Sequence, residues 1–215
     1  KAKKNILASF LIKGGSIAVS LISVPLTINY VNPDQYGVWL TLSSLVSWFS
    51  FFDIGFGNGL RNRFAEARAS GQEEMARIYV STTYAILLII SSVVLVVFLL
   101  VNPWLDWAII LNAPRSMTSE LGLLAMIVFG YFALDFVLQL IATILNADQQ
   151  PAVASLFNFL ASLLSLMIIF ILTKTTSGNL IYLGLSFVGT QLLVLLVASI
   201  WFFSTTLVFC SSIVE

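Results

Sequence analysis

Lys13 and Asp135 are ionisable residues set inside long apolar runs. A Lys or Asp at the centre of a bilayer helix costs roughly 2.5 to 3.5 kcal/mol, so such residues tend to mark a cavity or a pathway. At about 1.5 Å per residue, Lys13 falls roughly 12 Å and Asp135 roughly 15 Å from the same membrane surface. Gln139, one helical turn from Asp135, comes out at about 9 Å, Asn158 at about 10 Å and Gln191 at about 18 Å. Together these residues predict a polar layer drawn from four helices. One reading is a hydrated, charged cavity that holds a polar or anionic substrate, or a proton or cation at Asp135. The other is a Lys13 to Asp135 pair that neutralises both charges and fixes helix register, with the three amides acting as hydrogen bonds between helices.

Covalent chemistry has little to work with. The chain has no histidine and one cysteine, Cys210, so imidazole catalysis, a zinc cluster and an internal disulfide are all excluded. No reactive constellation or carboxylate cluster stands out, and the reading is no enzyme, no catalytic residue, no metal and no cofactor beyond a coupling proton or sodium ion. Zero net charge offers no argument for nucleic acid.

The elements that position the polar layer follow from composition. The chain is 59% hydrophobic and 9% charged, where soluble domains run near a quarter charged. Its apolar residues come in six blocks, about 5–30, 36–53, 78–101, 121–145, 152–173 and 179–203, each close to the roughly 20 residues that span a bilayer. Backbone groups in lipid must be satisfied within the segment, which such uninterrupted runs achieve as helices. The fold class is therefore all-α, a polytopic bundle of six transmembrane helices occupying 1–204, with 205–215 a truncated cytoplasmic connection.

Basic residues assign the sides. Lys1, Lys3 and Lys4 precede the first span and Arg61, Arg63, Arg68 and Arg77 follow the second, whereas 29–35 has none and the third and fifth loops have only Arg115 and Lys174. Both ends of this chain are expected to be cytoplasmic. A signal peptide is disfavoured, because the first run is too long, contains Lys13 and lacks a small-residue cleavage site.

Asn32-Pro33-Asp34, Asn102-Pro103 and Asn112-Ala113-Pro114 mark turns. The Asn-x-Asp-Gln pattern at Asn32 and Asn146 falls on opposite faces by the charge count and reads as repeated turn composition. Trp39, Trp104, Trp107 and Tyr182 lie near span ends and are expected to anchor at the interface. Pro25 is expected to bend the first span or free a carbonyl. Glu73 stands four before Arg77, a spacing that supports a surface helix entering the third span.

The stretch from Asp53 to Arg63 contains Gly55, Gly57 and Gly59 but lacks the strand and the Gly-Lys-Ser/Thr ending that nucleotide loops require. Gly55 and Gly59, four apart, predict a small-residue face at the cytoplasmic end of the second helix. Arg61 and Arg63 then reach anionic head groups and are candidates to contact a lipid phosphate.

The run Asp53-Ile54-Gly55-Phe56-Gly57-Asn58-Gly59-Leu60-Arg61-Asn62-Arg63-Phe64-Ala65-Glu66-Ala67, with Gly71 after it and Pro25-Leu26-Thr27 and Tyr36-Gly37-Val38-Trp39 before it, resembles the second-span boundary of polysaccharide and O-antigen flippases. These belong to the multidrug/oligosaccharidyl-lipid/polysaccharide flippase superfamily. The resemblance implies two six-helix lobes around a central cavity, this chain being the N-terminal one. It also implies alternating access that moves an undecaprenyl-pyrophosphate-linked sugar unit to the outer leaflet of a bacterial inner membrane. The implied partners are the lipid-linked oligosaccharide, the bilayer and polysaccharide polymerase machinery. On that reading Lys13 meets a pyrophosphate or acidic sugar, and Asp135 is its counter-ion or coupling group.

Three functions from different classes remain. A lipid-linked oligosaccharide flippase accounts for the motif, the spans and the intramembrane charges together. A multidrug or cation antiporter of the same superfamily should have acidic cavity residues without a basic partner. A non-transporting membrane scaffold is the third.

Overall fold

The computed structural model describes residues 2–47 and 55–211. Among these the chain is built from helices: α1 (Ala2–Val31), α2 (Pro33–Ser47), α3 (Phe56–Ala69), α4 (Glu73–Val101), α5 (Trp107–Ile110), α6 (Thr118–Leu138), α7 (Leu140–Ala147), α8 (Pro151–Thr175) and α9 (Leu180–Ser211). Five stretches are long and apolar enough to cross a membrane: Ala8–Val31, Glu73–Trp104, Glu120–Ala147, Pro151–Thr175 and Leu180–Phe202. They coincide with five of the six predicted spans. The sixth, 36–53, begins as α2, and its remainder after Ser47 lies outside the described residues. The chain is an all-α, polytopic membrane bundle.

Local chemistry sets the helix ends. Asn32 sits at φ +82, where its side chain accepts from the Gln35 backbone N–H at 2.9 Å and donates to Gln35 Oε1 at 3.1 Å. Pro33 then opens α2 and Pro151 opens α8, positions where the missing N–H costs nothing. Asn179 caps α9 by accepting from the N–H groups of Ile181 and Tyr182. The last helix runs on to Ser211, past the expected end of its span at 203.

Helix α1 continues through Pro25. Ser23 Oγ donates to the Val19 carbonyl and Thr27 Oγ1 to the Ser23 carbonyl, bracketing the proline, as serine and threonine commonly do around proline in lipid. The fourth span, by contrast, is interrupted at Gln139 although no proline or glycine stands there. The Ala142 N–H closes onto the Gln139 carbonyl three residues back, at 3.0 Å, a tightened turn at the joint of α6 and α7.

Helix α1 lies along α8, α8 along α9, α9 along α6 and α6 along α4, while α2 touches α1, α6 and α9. Three apolar clusters hold this row together. The largest gathers Tyr30, Val31, Trp39, Leu42, Phe98, Trp107, Leu124, Phe129 and Leu183. A second joins α3 and α4 to α7 through Leu60, Phe64, Leu87, Leu140 and Ile144. The third joins α7, α8 and α9 through Ile141, Leu145, Ala154 and Leu195.

Two of the four expected anchors are core residues. Trp39 is buried and stacks on Phe187 at 5.5 Å between centroids. Trp107 is buried beside Phe98 and Phe129, and its indole N–H donates to Asn102 Oδ1 at 2.8 Å. Hydrogen bonding by Asn102 makes that burial affordable, since an unpaired indole N–H would be costly inside. Trp104, 84% exposed, and the exposed Tyr182 keep positions suited to an interface.

The turns fall on two opposite faces. Tyr30 Oη and Thr176 Oγ1 lie 2.9 Å apart, which places the α1–α2 turn beside the α8–α9 loop. Arg68 reaches Asp148 at 3.5 Å, which places the α3–α4 turn beside the α7–α8 turn. This is the pairing of loops that the charge count predicted, and it leaves the two Asn-x-Asp-Gln turns on opposite faces.

Candidate functional site

Lys13 is exposed on α1. Two residues later, a Cβ at Gly15 would meet the Phe159 ring at 3.0 Å, so α1 and α8 approach closely there. Both helices run from the Arg68 face toward the Asn32 face, and Asn158 therefore stands at the level of Lys13 on the neighbouring helix. Asn158 belongs to a helical stripe whose other members, Ala154, Ala161, Ser165 and Ile169, are all buried. Asn158 alone in that stripe is exposed. Gln191 of α9 donates to its Oδ1 at 3.4 Å, so the α8–α9 seam carries a long, weak amide bond at an open level.

Asp135 sits three helices away from Lys13 in the row. Leu124, Val128, Tyr131 and Asp135 are spaced by four, three and four residues, one stripe of α6. Leu124 packs on α9, where a Cβ at Gly184 would come within 2.8 Å of it. Asp135 therefore continues the α9-facing stripe. Its Oδ2 accepts from Gln139 Nε2 at 3.2 Å, while its Oδ1 is buried without a hydrogen-bond partner among the described residues. Tyr131 stands one turn earlier, beside the same carboxyl.

The polar layer is thus two groups and a lone cation: Asn158 with Gln191, Asp135 with Gln139, and Lys13. The ion pairs among the described residues are Arg63–Glu66, Arg68–Glu73 and Arg68–Asp148. Lys13 and Asp135 do not pair, and the register-fixing reading falls. The reason is geometric: α1 packs on α8, and α9 stands between α8 and α6.

The glycine stretch takes a form different from the expected end of α2. Gly55 adopts φ +81, the left-handed conformation that favours glycine, and is the N-cap of the separate helix α3. Gly57 is buried, whereas Gly59 is exposed with open space around its Cα. The close-packed glycine is therefore Gly57, and Gly55 makes the turn. Asp53 lies outside the described residues. Leu60, Phe64 and Ala67 bury the inner stripe of α3, which leaves Arg61 and Arg63 on its exposed face, Arg63 donating to Glu66 at 3.4 Å. Glu73 opens α4, as the Glu73 to Arg77 spacing predicts, and pairs with Arg68 at 3.2 Å.

Other buried polar atoms escaped the sequence reading. Ser43, Ser165 and Ser199 have buried hydroxyls without a hydrogen-bond partner among the described residues. Their sequence signal is faint, because serine in an apolar run also serves simple close packing.

The MatE family model matches residues 17–171, from the middle of α1 to the last turns of α8. The chain belongs to the MatE family. This MatE chain is also similar, over 58 residues at 34% identity, to a protein of Yersinia pseudotuberculosis named as an O-antigen export protein; the match covers 27% of this chain and 13% of that protein. Over 76 residues it is 36% identical to a protein of Salmonella typhi named as an O-antigen transporter, covering 34% of this chain and 18% of the relative. The matched stretches are thus well under two thirds of either relative's length. No solved structure matches the chain.

Proposed function

We propose that this MatE chain is the N-terminal lobe of a bacterial inner-membrane transporter that flips an undecaprenyl-pyrophosphate-linked oligosaccharide from the inner to the outer leaflet by alternating access. The observation that carries the reading is the family match across 17–171 together with the two relatives named for O-antigen export and transport. The geometry supports it in two places. Lys13 on α1 and Asn158 on the neighbouring α8 share one level, and both are exposed. Arg61 and Arg63 face outward on α3, on the face that the charge rule makes cytoplasmic, where a pyrophosphate would first arrive. The charge rule puts both termini of the chain on that cytoplasmic side as well, and polymerase machinery would receive the product on the other.

The test expresses the full-length parent in cells lacking their own flippase and scores surface polysaccharide. Lys13→Ala and Asp135→Asn should each lower export several-fold at equal protein level. Normal export with both variants would overturn the cavity reading.

One observation favours a second reading. Asp135 has no basic partner among the described residues, and a carboxylate without one suits an antiporter that exchanges an organic cation for a proton or sodium ion. Sodium-dependent efflux of organic cations by the same cells, abolished by Asp135→Asn and indifferent to Lys13→Ala, would replace the flippase by the antiporter.

A further inference from the structure

The turn joining α1 to α2 frames an open concavity of about 550 Å³ that no step above uses. Ile28, Asn29, Tyr30, Asn32, Gln35 and Gly178 contribute to its lining. Its walls are held from two sides. A Cβ at Gly178 would overlap the Tyr30 carbonyl oxygen, so the α8–α9 loop sits directly on the end of α1. The same loop bonds Tyr30 Oη through Thr176, and on the other side Asn32 and Gln35 hold each other reciprocally.

What this frame leaves over is a set of amide valences. Gln35 uses its Oε1, and its Nε2 has no hydrogen-bond partner among the described residues; Asn29 is exposed and its side chain likewise has none there. A primary amide offers two donors and a two-lone-pair acceptor in one plane. That arrangement matches pairs of hydroxyls on adjacent ring carbons. No charged side chain lines the concavity, so nothing in it selects phosphate or a carboxylate. It also lies on the face opposite Arg61 and Arg63.

We infer that this concavity is a subsite for the hydroxyls of a neutral carbohydrate at the far end of the path from the arginines. The inference rests on the proposed function for the origin of the sugar, and it separates two stages of the path: the basic surface of α3 meets the diphosphate where the substrate arrives, and the amide-lined turn meets the sugar after it has crossed.

The experiment uses the full-length protein in nanodiscs, with Cys210→Ser and a single Pro33→Cys in the lining, and follows maleimide labelling. The probe is the neutral oligosaccharide repeat released by mild acid from the source cells' own surface polysaccharide. It should slow labelling at position 33 several-fold and leave labelling of Trp104→Cys, on the same face, unchanged. Asn29→Leu with Gln35→Ala should abolish the protection. Should that pair disturb folding, Asn29→Leu alone, at an exposed side chain without a hydrogen-bond partner, should weaken it with the thermal midpoint unmoved. Unprotected labelling, equal protection by inorganic pyrophosphate, or protection that follows the phosphatidylglycerol content of the disc and not the sugar would each overturn the inference. Export in cells is read separately. Lost protection with intact dependence on Lys13 removes the subsite and leaves the flippase standing, whereas protection with export indifferent to Lys13 and Asp135 does the reverse.

Discussion

At the scale of single residues, two glycines separate the readings of the motif around Arg61. Gly55 has a left-handed backbone and Gly59 is an exposed interior position of α3 with open space beside it. Gly55→Ala should lower stability by about 1 kcal/mol, the usual penalty for a side chain in that region. Gly59→Ala should raise it by up to about 1 kcal/mol, because alanine is the better helix former and nothing is in its way. A thermal unfolding series in detergent reads both signs, and a large loss at Gly59 would restore the helix-packing interpretation. Gly178→Ala is a third case, in which the added methyl meets backbone and not a flexible side chain. The expected cost is about 1 to 3 kcal/mol, typical of overpacking, in the same measurement.

Among the elements, α3 tests whether charge or apolar burial fixes a surface helix. Arg68 bonds Glu73 and Asp148, but all three side chains remain partly exposed, at 46%, 51% and 25%. Exposed pairs are worth about 0 to 1 kcal/mol, so Arg68→Ala should move the unfolding midpoint little, and less still in high salt. Phe64 is buried between α4 and α7, and Phe64→Ala should cost about 3 kcal/mol or more. Cysteine cross-linking between α3 and α7 should fail in the Phe64 variant and persist in the Arg68 variant. The long helices were legible in the sequence because twenty apolar residues in succession have few alternatives in lipid. The independence of α3 was not, since one left-handed glycine decides it and three neighbouring glycines look alike as letters. Trp39 and Trp107 illustrate the same limit. A tryptophan near a span end is an anchor or a core residue depending on what stands across from it, here Phe187 and Asn102. Depth along each helix put Lys13, Asp135, Gln139, Asn158 and Gln191 in one layer, but depth carries no azimuth, and so it matched Lys13 with an Asp135 that stands beyond α8 and α9.

For the molecule as a whole, the two faces are fixed relative to each other, and their sidedness is open to direct measurement. With Cys210→Ser, a cysteine at Trp104 and another at Asn62 should label from opposite sides of sealed cells, Trp104→Cys from outside and Asn62→Cys only after permeabilisation. The reverse pattern would invert the assignment of α3 to the cytoplasm. The interruption at Gln139 has its own bearing on how such a body changes shape. A proline ring bends a helix through covalent structure, in every state and at every temperature. Here the helical ladder of the fourth span is interrupted where no ring compels it, one turn from Asp135, whose Oδ1 has no hydrogen-bond partner among the described residues, and its lower segment, α7, is the piece gripped by both α3 and α8. That interruption is a conditional property, owed to packing and hydrogen bonds and not to covalent structure. A joint held that way can tighten or relax without breaking anything built into the chain.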